Sequence, residues 1–433
     1  MLRALALSLC FVATSLTAQT TAPTQTQTKL DTDAALLRYD DLALDLSAAP
    51  PGPTHDLFAG VLADRTNHLD EAIALLTPLS TAPDLSPTRL ALVLGSLADA
   101  NLKLYRYAQA SALYTRLLTE APTGLSPTHL KDDQDDAETI KLLLNAPPQT
   151  IDINTPIDIP TRSDHLKSIT ADLTVQNITA PWILDTGANF SVVSESFAHQ
   201  LGLALSTGVA HTQGATGAEN PLRVAILDTL PIGNATLHNV VLLVLPDANL
   251  TLQSGRKSQV IPAILGYPVF QALGIIRFTH DRHFQAGPTL PLAGDAEPRY
   301  VAPIYMEKLN ILFSCRTHNL SRLFLFDSGA NATTFFLPYF REFPADLLHE
   351  AQGTRNGYGA GGTSTDQVYI LAHVDLELAN RLIDLQRIAV FKNPTNTLAD
   401  EYEGSLGRDL INSLDSLTLD LIHDRVYPGK PRN

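Results

Sequence analysis

Residues 182–194 read WILDTGANFSVVS and residues 323–336 read LFLFDSGANATTFF, two apolar runs that each lead into Asp-Thr/Ser-Gly-Ala-Asn. One copy would describe an ordinary turn after a strand, because acids, hydroxyls and glycine are common turn residues. Two copies raise a different question, whether Asp185 and Asp327 act together.

Aligned on those aspartates, the sequence that follows stays in register. HTQGATGAEN places Gly214 29 residues after Asp185, and GYGAGGTSTD places Gly359 32 residues after Asp327. An apolar-apolar-Gly element comes next in each copy: AILGYPVFQALG, with Gly266 81 residues after Asp185, and GSLGRDLINSL, with Gly407 80 residues after Asp327. Each copy closes on one tripeptide, His280-Asp281-Arg282 and His423-Asp424-Arg425. Shared features in one order indicate two related lobes, residues 146–290 and 291–433, joined through AGPTLPLAGDAEPR. The duplication also argues against a metal site at HDRH (280–283). Its counterpart reads HDRV, and a turn between terminal strands accounts for both.

Within the lobes, runs such as ITADLTVQ, HNVVLLVL, ILFSCRT and VYILAHVDLEL are β-branched and Leu-rich, broken by Gly, Asn and Pro, and read as short strands. Residues 30–145 differ. HDLFAGVLADR, LDEAIALLTPL, PTRLALVLGSLADANLKLY and YAQASALYTRLLTE place apolar residues three and four apart, the period of helices. Gly60 with Ala72 and Leu76, and Gly95 with Ala110 and Tyr114, put small residues where paired helices would cross. In this, residues 54–122 resemble tetratricopeptide repeats. The acidic run KDDQDDAE (131–138) lacks the glycine and spacing of a calcium loop and reads as a solvated helix start. The expected fold class is therefore multidomain α + β: a helical-hairpin, tetratricopeptide-like region followed by an all-β bilobal region.

The opening MLRALALSLCFVATSLTA has a basic start, an apolar stretch and small residues near Ala18, so residues 1–18 read as an export signal. Residues 19–29, Thr- and Gln-rich, read as a disordered leader. No other stretch has the apolar length of a membrane span, and the expected location is periplasmic or extracellular. Cleavage of the signal would leave Cys315 without a disulfide partner, a small apolar residue on a strand rather than a nucleophile. The 30 Lys and Arg against 45 Asp and Glu, a formal charge of −15, disfavour nucleic acid as a partner.

Two lobes related by a pseudo-twofold axis would bring Asp185 and Asp327 together at that axis. Two carboxylates in such proximity cannot both ionise cheaply, so the pair should hold one proton between them. One carboxylate can then activate a water against a peptide carbonyl while its protonated partner donates to the carbonyl oxygen. No cofactor and no metal are needed. Thr186 and Ser328 each supply a hydroxyl able to reach the backbone of the opposite loop, and Gly187 and Gly329 let backbone N–H groups approach the carboxylates. Ala188 and Ala330 add no hydroxyl that would favour the ionised form, which predicts a less acidic optimum than Ser or Thr there would give.

These residues resemble the pepsin and retroviral clan of aspartic proteases, in the Asp-Thr/Ser-Gly-Ala motif, the apolar strand before it, a Gly-rich flap and the apolar-apolar-Gly element. The resemblance implies an acid-protease fold, a catalytic pair Asp185 and Asp327, and flaps at Gly214, Ala215, Thr216 and Gly217 and at Gly359, Ala360, Gly361 and Gly362. It implies a peptide or protein substrate bound as an added strand beneath the flaps. Asn189 and Asn331 stand where retroviral relatives often carry aspartate, a difference that bears on substrate preference. The alternative is a catalytically inactive peptide-binding or scaffold protein of the cell envelope. For the helical region, acidic like the chain as a whole, the expected role is to bind a protein partner or present substrate.

Overall fold

The computed structural model describes residues 25–164, 167–214, 219–254, 257–291, 299–359 and 361–432. The export signal therefore lies outside the described residues. Among them, no helix is long and apolar enough to cross a membrane.

Among the described residues seven α-helices come first: α1 (Gln25–Ala35), α2 (Tyr39–Ala48), α3 (Pro53–Arg65), α4 (Leu69–Leu79), α5 (Pro87–Lys103), α6 (Tyr107–Glu120) and α7 (Pro127–Lys141). Proline at the first turn of α3, α5 and α7 starts each where its missing N–H costs nothing, and Ser86 and Ser126 cap α5 and α7. Gly60 lies so close to α4 that a Cβ there would sit 2.6 Å from Leu76 Cγ, whereas a Cβ at Gly95 would meet only Leu117 at 4.0 Å. The small-residue crossing is thus tight in one helix pair and open in the other. α1 begins at Gln25, inside the stretch expected to be disordered. Leu30 is buried in a core, and a helix anchored there extends through polar residues that would not nucleate one alone.

A β-rich region follows, in which the strands around each aspartate repeat from lobe to lobe; the hairpin Thr251–Ser254 with Lys257–Val260 of the first lobe has no described counterpart in the second. The strand leading to each aspartate, Ile178–Leu184 or Leu320–Phe326, pairs antiparallel with the preceding strand, Ile169–Val175 or Asn310–Thr317. On its other side lies a parallel three-residue strand, Ala263–Leu265 or Gly404–Leu406. A central sheet joins the lobes. Ile275–Thr279 of the first pairs antiparallel with Ser416–Asp420 of the second, flanked symmetrically by His283–Ala286 with Ile157–Pro160 and by Arg425–Pro428 with Ala302–Glu307. The strand Ile157–Pro160 lies in IDINTPIDIP, where prolines and alternating Ile/Asp mark the change from helical to β texture; only its partner His283–Ala286 reveals it as a strand. The HDR tripeptides occupy the turns, and His283 pairs with Asp158 at 2.6 Å. Cys315 and Trp182 are fully buried on strands.

The helical region is docked on this body. Side chains of α1 to α5 share a core with Tyr305, Leu312, Leu323, Phe336 and Tyr402 of the second lobe. At the centre of the contact the hairpin turn Glu307–Asn310, with Lys308 and Leu309 at positive φ, inserts into a nest of charges. Glu307 accepts from Arg65 at 2.9 Å and from Tyr402 at 3.1 Å, and the Lys308 backbone N–H donates to Asp99 at 3.1 Å. The Lys308 ammonium contacts Asp132, Asp133 at 2.5 Å and Asp136 at 3.3 Å. Beneath it the fully buried Lys103 pairs with Asp64 and Asp99. The acidic run 131–138 is therefore not a solvated helix start. It lies well inside α7, Asp133 and Asp135 are buried, and the cation among its carboxylates comes from a turn more than 170 residues away. α7 also reaches the first lobe, through Lys131 to Glu219 at 3.1 Å.

Candidate active site

Each aspartate is held by the same local construction. The backbone N–H of Asp185 donates to the Leu265 carbonyl at 3.1 Å, and that of Asp327 to the Leu406 carbonyl at 3.0 Å, so the parallel strand pins the start of the loop. Past it, the Tyr267 and Arg408 N–H groups donate to the Ala188 and Ala330 carbonyls at 2.8 and 3.0 Å. The glycines between are required by this approach. A Cβ on Gly266 would lie 2.4 Å from the Phe190 carbonyl carbon, and one on Gly407 2.6 Å from that of Ala332.

The two loops then interlock. The Thr186 hydroxyl donates to the Phe326 carbonyl at 3.1 Å and accepts the Ser328 N–H at 3.0 Å. Reciprocally, the Ser328 hydroxyl donates to the Leu184 carbonyl at 2.8 Å and accepts the Thr186 N–H at 3.0 Å. Both side chains are fully buried. Thr186→Val should therefore orphan two buried backbone groups, at about 1–3 kcal/mol each. Urea unfolding measures this, with Thr186→Ser expected to recover most of the loss; an unchanged midpoint in the valine variant would show that the hydroxyl is not part of the lobe contact.

This interlock sets the carboxylates face to face. A Cβ on Gly329 would fall 2.5 Å from Asp185 Cγ, and one on Gly187 2.7 Å from Asp327 Cγ, so each carboxylate rests on the opposite loop's glycine. Asp185 accepts the Gly187 N–H at 2.9 Å; Asp327 accepts those of Gly329 and Ala330 at 2.8 and 2.9 Å. Burial raises the proton affinity of both, and the charge of Asp327 pushes Asp185 up further, well above the carboxylate range. Backbone N–H groups oppose the rise at both, and the Arg355 guanidinium opposes it further at Asp327, so the rise is larger at Asp185.

Of the flap residues, Gly214, Gly359, Gly361 and Gly362 are described, and Ala215, Thr216, Gly217 and Ala360 lie outside the described residues. The hairpins differ. The first pairs Ala210–Gln213 with the start of Glu219–Ile232, and the second is a ladder of nine residue pairs from Ala351 to Gly362. The second crosses to the other lobe, where the Gly361 N–H donates to the Asn249 carbonyl at 3.0 Å.

Other residues of the site are visible only in the fold. Arg408 donates to the Asn331 side-chain carbonyl at 2.8 Å, which makes Asn331 a loop-holding residue. The Asp409 carboxylate takes the Thr333 N–H and hydroxyl, each at 2.8 Å. The signal for both was Arg408-Asp409 after Gly407, which has no counterpart in the first lobe, where Tyr267 and Pro268 follow Gly266.

An aspartyl protease family model matches residues 171–269, the part of the first lobe that contains Asp185 and Gly266. Among solved structures, basic 7S globulin from soybean is similar at 12% identity and a TM-score of 0.41, over 64% of this chain and 94% of that one. No curated protein matches the chain.

Proposed function

We propose that this chain is an exported aspartic endopeptidase, with one catalytic aspartate from each lobe. The observation that carries the reading is the pair of half-buried, facing carboxylates, each seated on the opposite loop's glycine within a reciprocal hydroxyl interlock. The family match over the first lobe supports the same chemistry.

In the mechanism, Asp327 takes a proton from a water as it attacks the peptide carbonyl, and Asp185 gives its proton to the carbonyl oxygen. The tetrahedral diol then collapses, and a proton from the pair passes to the leaving nitrogen. The reaction needs one carboxyl protonated and one ionised. Because Asp185 is raised well above its ordinary value, the alkaline limb appears only once pH rises far enough to ionise it, and the rate also falls on the acid side as Asp327, itself raised, takes up a proton.

The test is incubation of the mature chain with a diverse peptide pool from pH 3 to 7, read by mass spectrometry. Internal cleavage with a maximum above about pH 3 is expected. Peptides retained but uncut at every pH would favour the alternative, a peptide-binding scaffold of the cell envelope.

A further inference from the structure

Arg355 lies in the strand Ala351–Gly359 of the crossing hairpin, and its Nη2 donates to the Ala332 carbonyl on the loop that carries Asp327, at 3.2 Å. Strand alternation places Gly353, Arg355 and Gly357 on one face, so along its own strand Arg355 has no side-chain neighbour there, while Val368, Asp366 and Ser364 of the paired strand share that face and Ser364 Oγ fills the space beside Gly357. The space beside Gly353 is open, with nothing within 4 Å of where a Cβ would be.

Three carboxylates surround Arg355 without touching it: Asp327, Asp366 on the paired strand, and Asp409. The latter two have other partners, since Asp366 accepts from Ser364 and Asp409 holds Thr333. Among the described residues, Arg355 makes no ion pair, and the Ala332 carbonyl is its one hydrogen-bond partner. A planar guanidinium with most of its N–H donors free is built to take a carboxylate in bidentate fashion.

We propose that Arg355 selects substrates carrying an acidic side chain close to the scissile bond, on the second-lobe side of the cleft. The inference rests on the endopeptidase reading, since it needs an extended peptide between the crossing hairpin and the loop of Asp327. The open space beside Gly353 is the slot through which such a side chain would reach it. A lysine at the same subsite would be repelled, and glutamine would lose the charge but keep the shape.

The experiment starts from a neutral parent peptide cut by the wild-type chain. Each position flanking its scissile bond is changed in turn to Glu, Gln or Lys, and kcat/KM is measured for wild type, R355Q, R355K and R355E. At one position Glu should be favoured over Gln by about tenfold or more, the scale of one charge-assisted contact. That ratio should fall to about one in R355Q, persist in part in R355K, and turn toward Lys in R355E. It should also collapse in the wild type as pH drops through the substrate glutamate's own value, about 4.3. Because ratios are compared within each variant, a general loss of activity does not imitate the result. Cleavage of the parent with no Glu preference at any position, or the same preference in R355Q, overturns the inference alone. A parent peptide that no form cuts overturns the endopeptidase reading and the inference with it.

Discussion

Asp327→Asn should lower kcat/KM on any cleaved peptide by about 10³-fold or more, because it removes the group proposed to take the proton from water. Asp185→Asn should cost as much. Its amide cannot deliver the proton that the carbonyl oxygen needs. The double variant should be little worse than either single one, since the two carboxyls work as one unit. Stability should move the other way or not at all. Burial makes each carboxylate reluctant to ionise, and the negative charge of Asp327 adds to that at Asp185, so a neutral amide relieves a cost rather than creating one. Steady-state kinetics beside urea unfolding measures both. A variant that loses activity only because it is unfolded would show a lowered midpoint, and cleavage that survives either substitution would rule out the paired-carboxyl mechanism.

The second large effect is expected far from the cleft. Lys308→Met should destabilise the chain by about 3–5 kcal/mol at pH 7.5, because Asp132, Asp133 and Asp136 lose the ammonium that lies among them. The loss should shrink at pH 5, with a definite sign. Burial raises Asp136 to about 7 even with Lys308 present, so the folded state binds more protons than the unfolded chain between about 4 and about 7. The stability contributed by this group is therefore full at low pH and is lost as pH rises through about 7. Asp64 at the same contact is likewise raised to about 7, by burial and by Asp99. Without the lysine, the carboxylates should hold protons more strongly still, and acid should recover part of the lost stability. Urea titrations at pH 7.5 and pH 5 test this, and a midpoint unchanged at pH 7.5 would mean the docking contact is held by its apolar residues alone.

The docking contact bears on the role of the helical region. With Glu307 and Lys308 of the chain's own second lobe inserted among α3, α5 and α7, that charged surface is occupied from within. Partner binding, if this region serves it, is therefore proposed for its outward faces.

How much could be read in one dimension follows from the distance over which each signal acts. The helical and β textures, the doubled tetrad and the glycines after it are local patterns repeated in order, so the two-part fold class and the duplication of the β region were legible without coordinates. The last residues of the expected leader, from Gln25 on, and the acidic helix were misread because Leu30 and Lys308 act through packing, and no local pattern carries the partner's address. The same limit applied at the site. Asp185 and Asp327 stand out as repeats, but that each rests on the other's glycine depends on the central sheet holding loops 142 positions apart in one register. Arg355 has no counterpart to align with and no motif around it. Hydrogen bonds and fields act through space, so only the folded chain placed its guanidinium against the loop of Asp327.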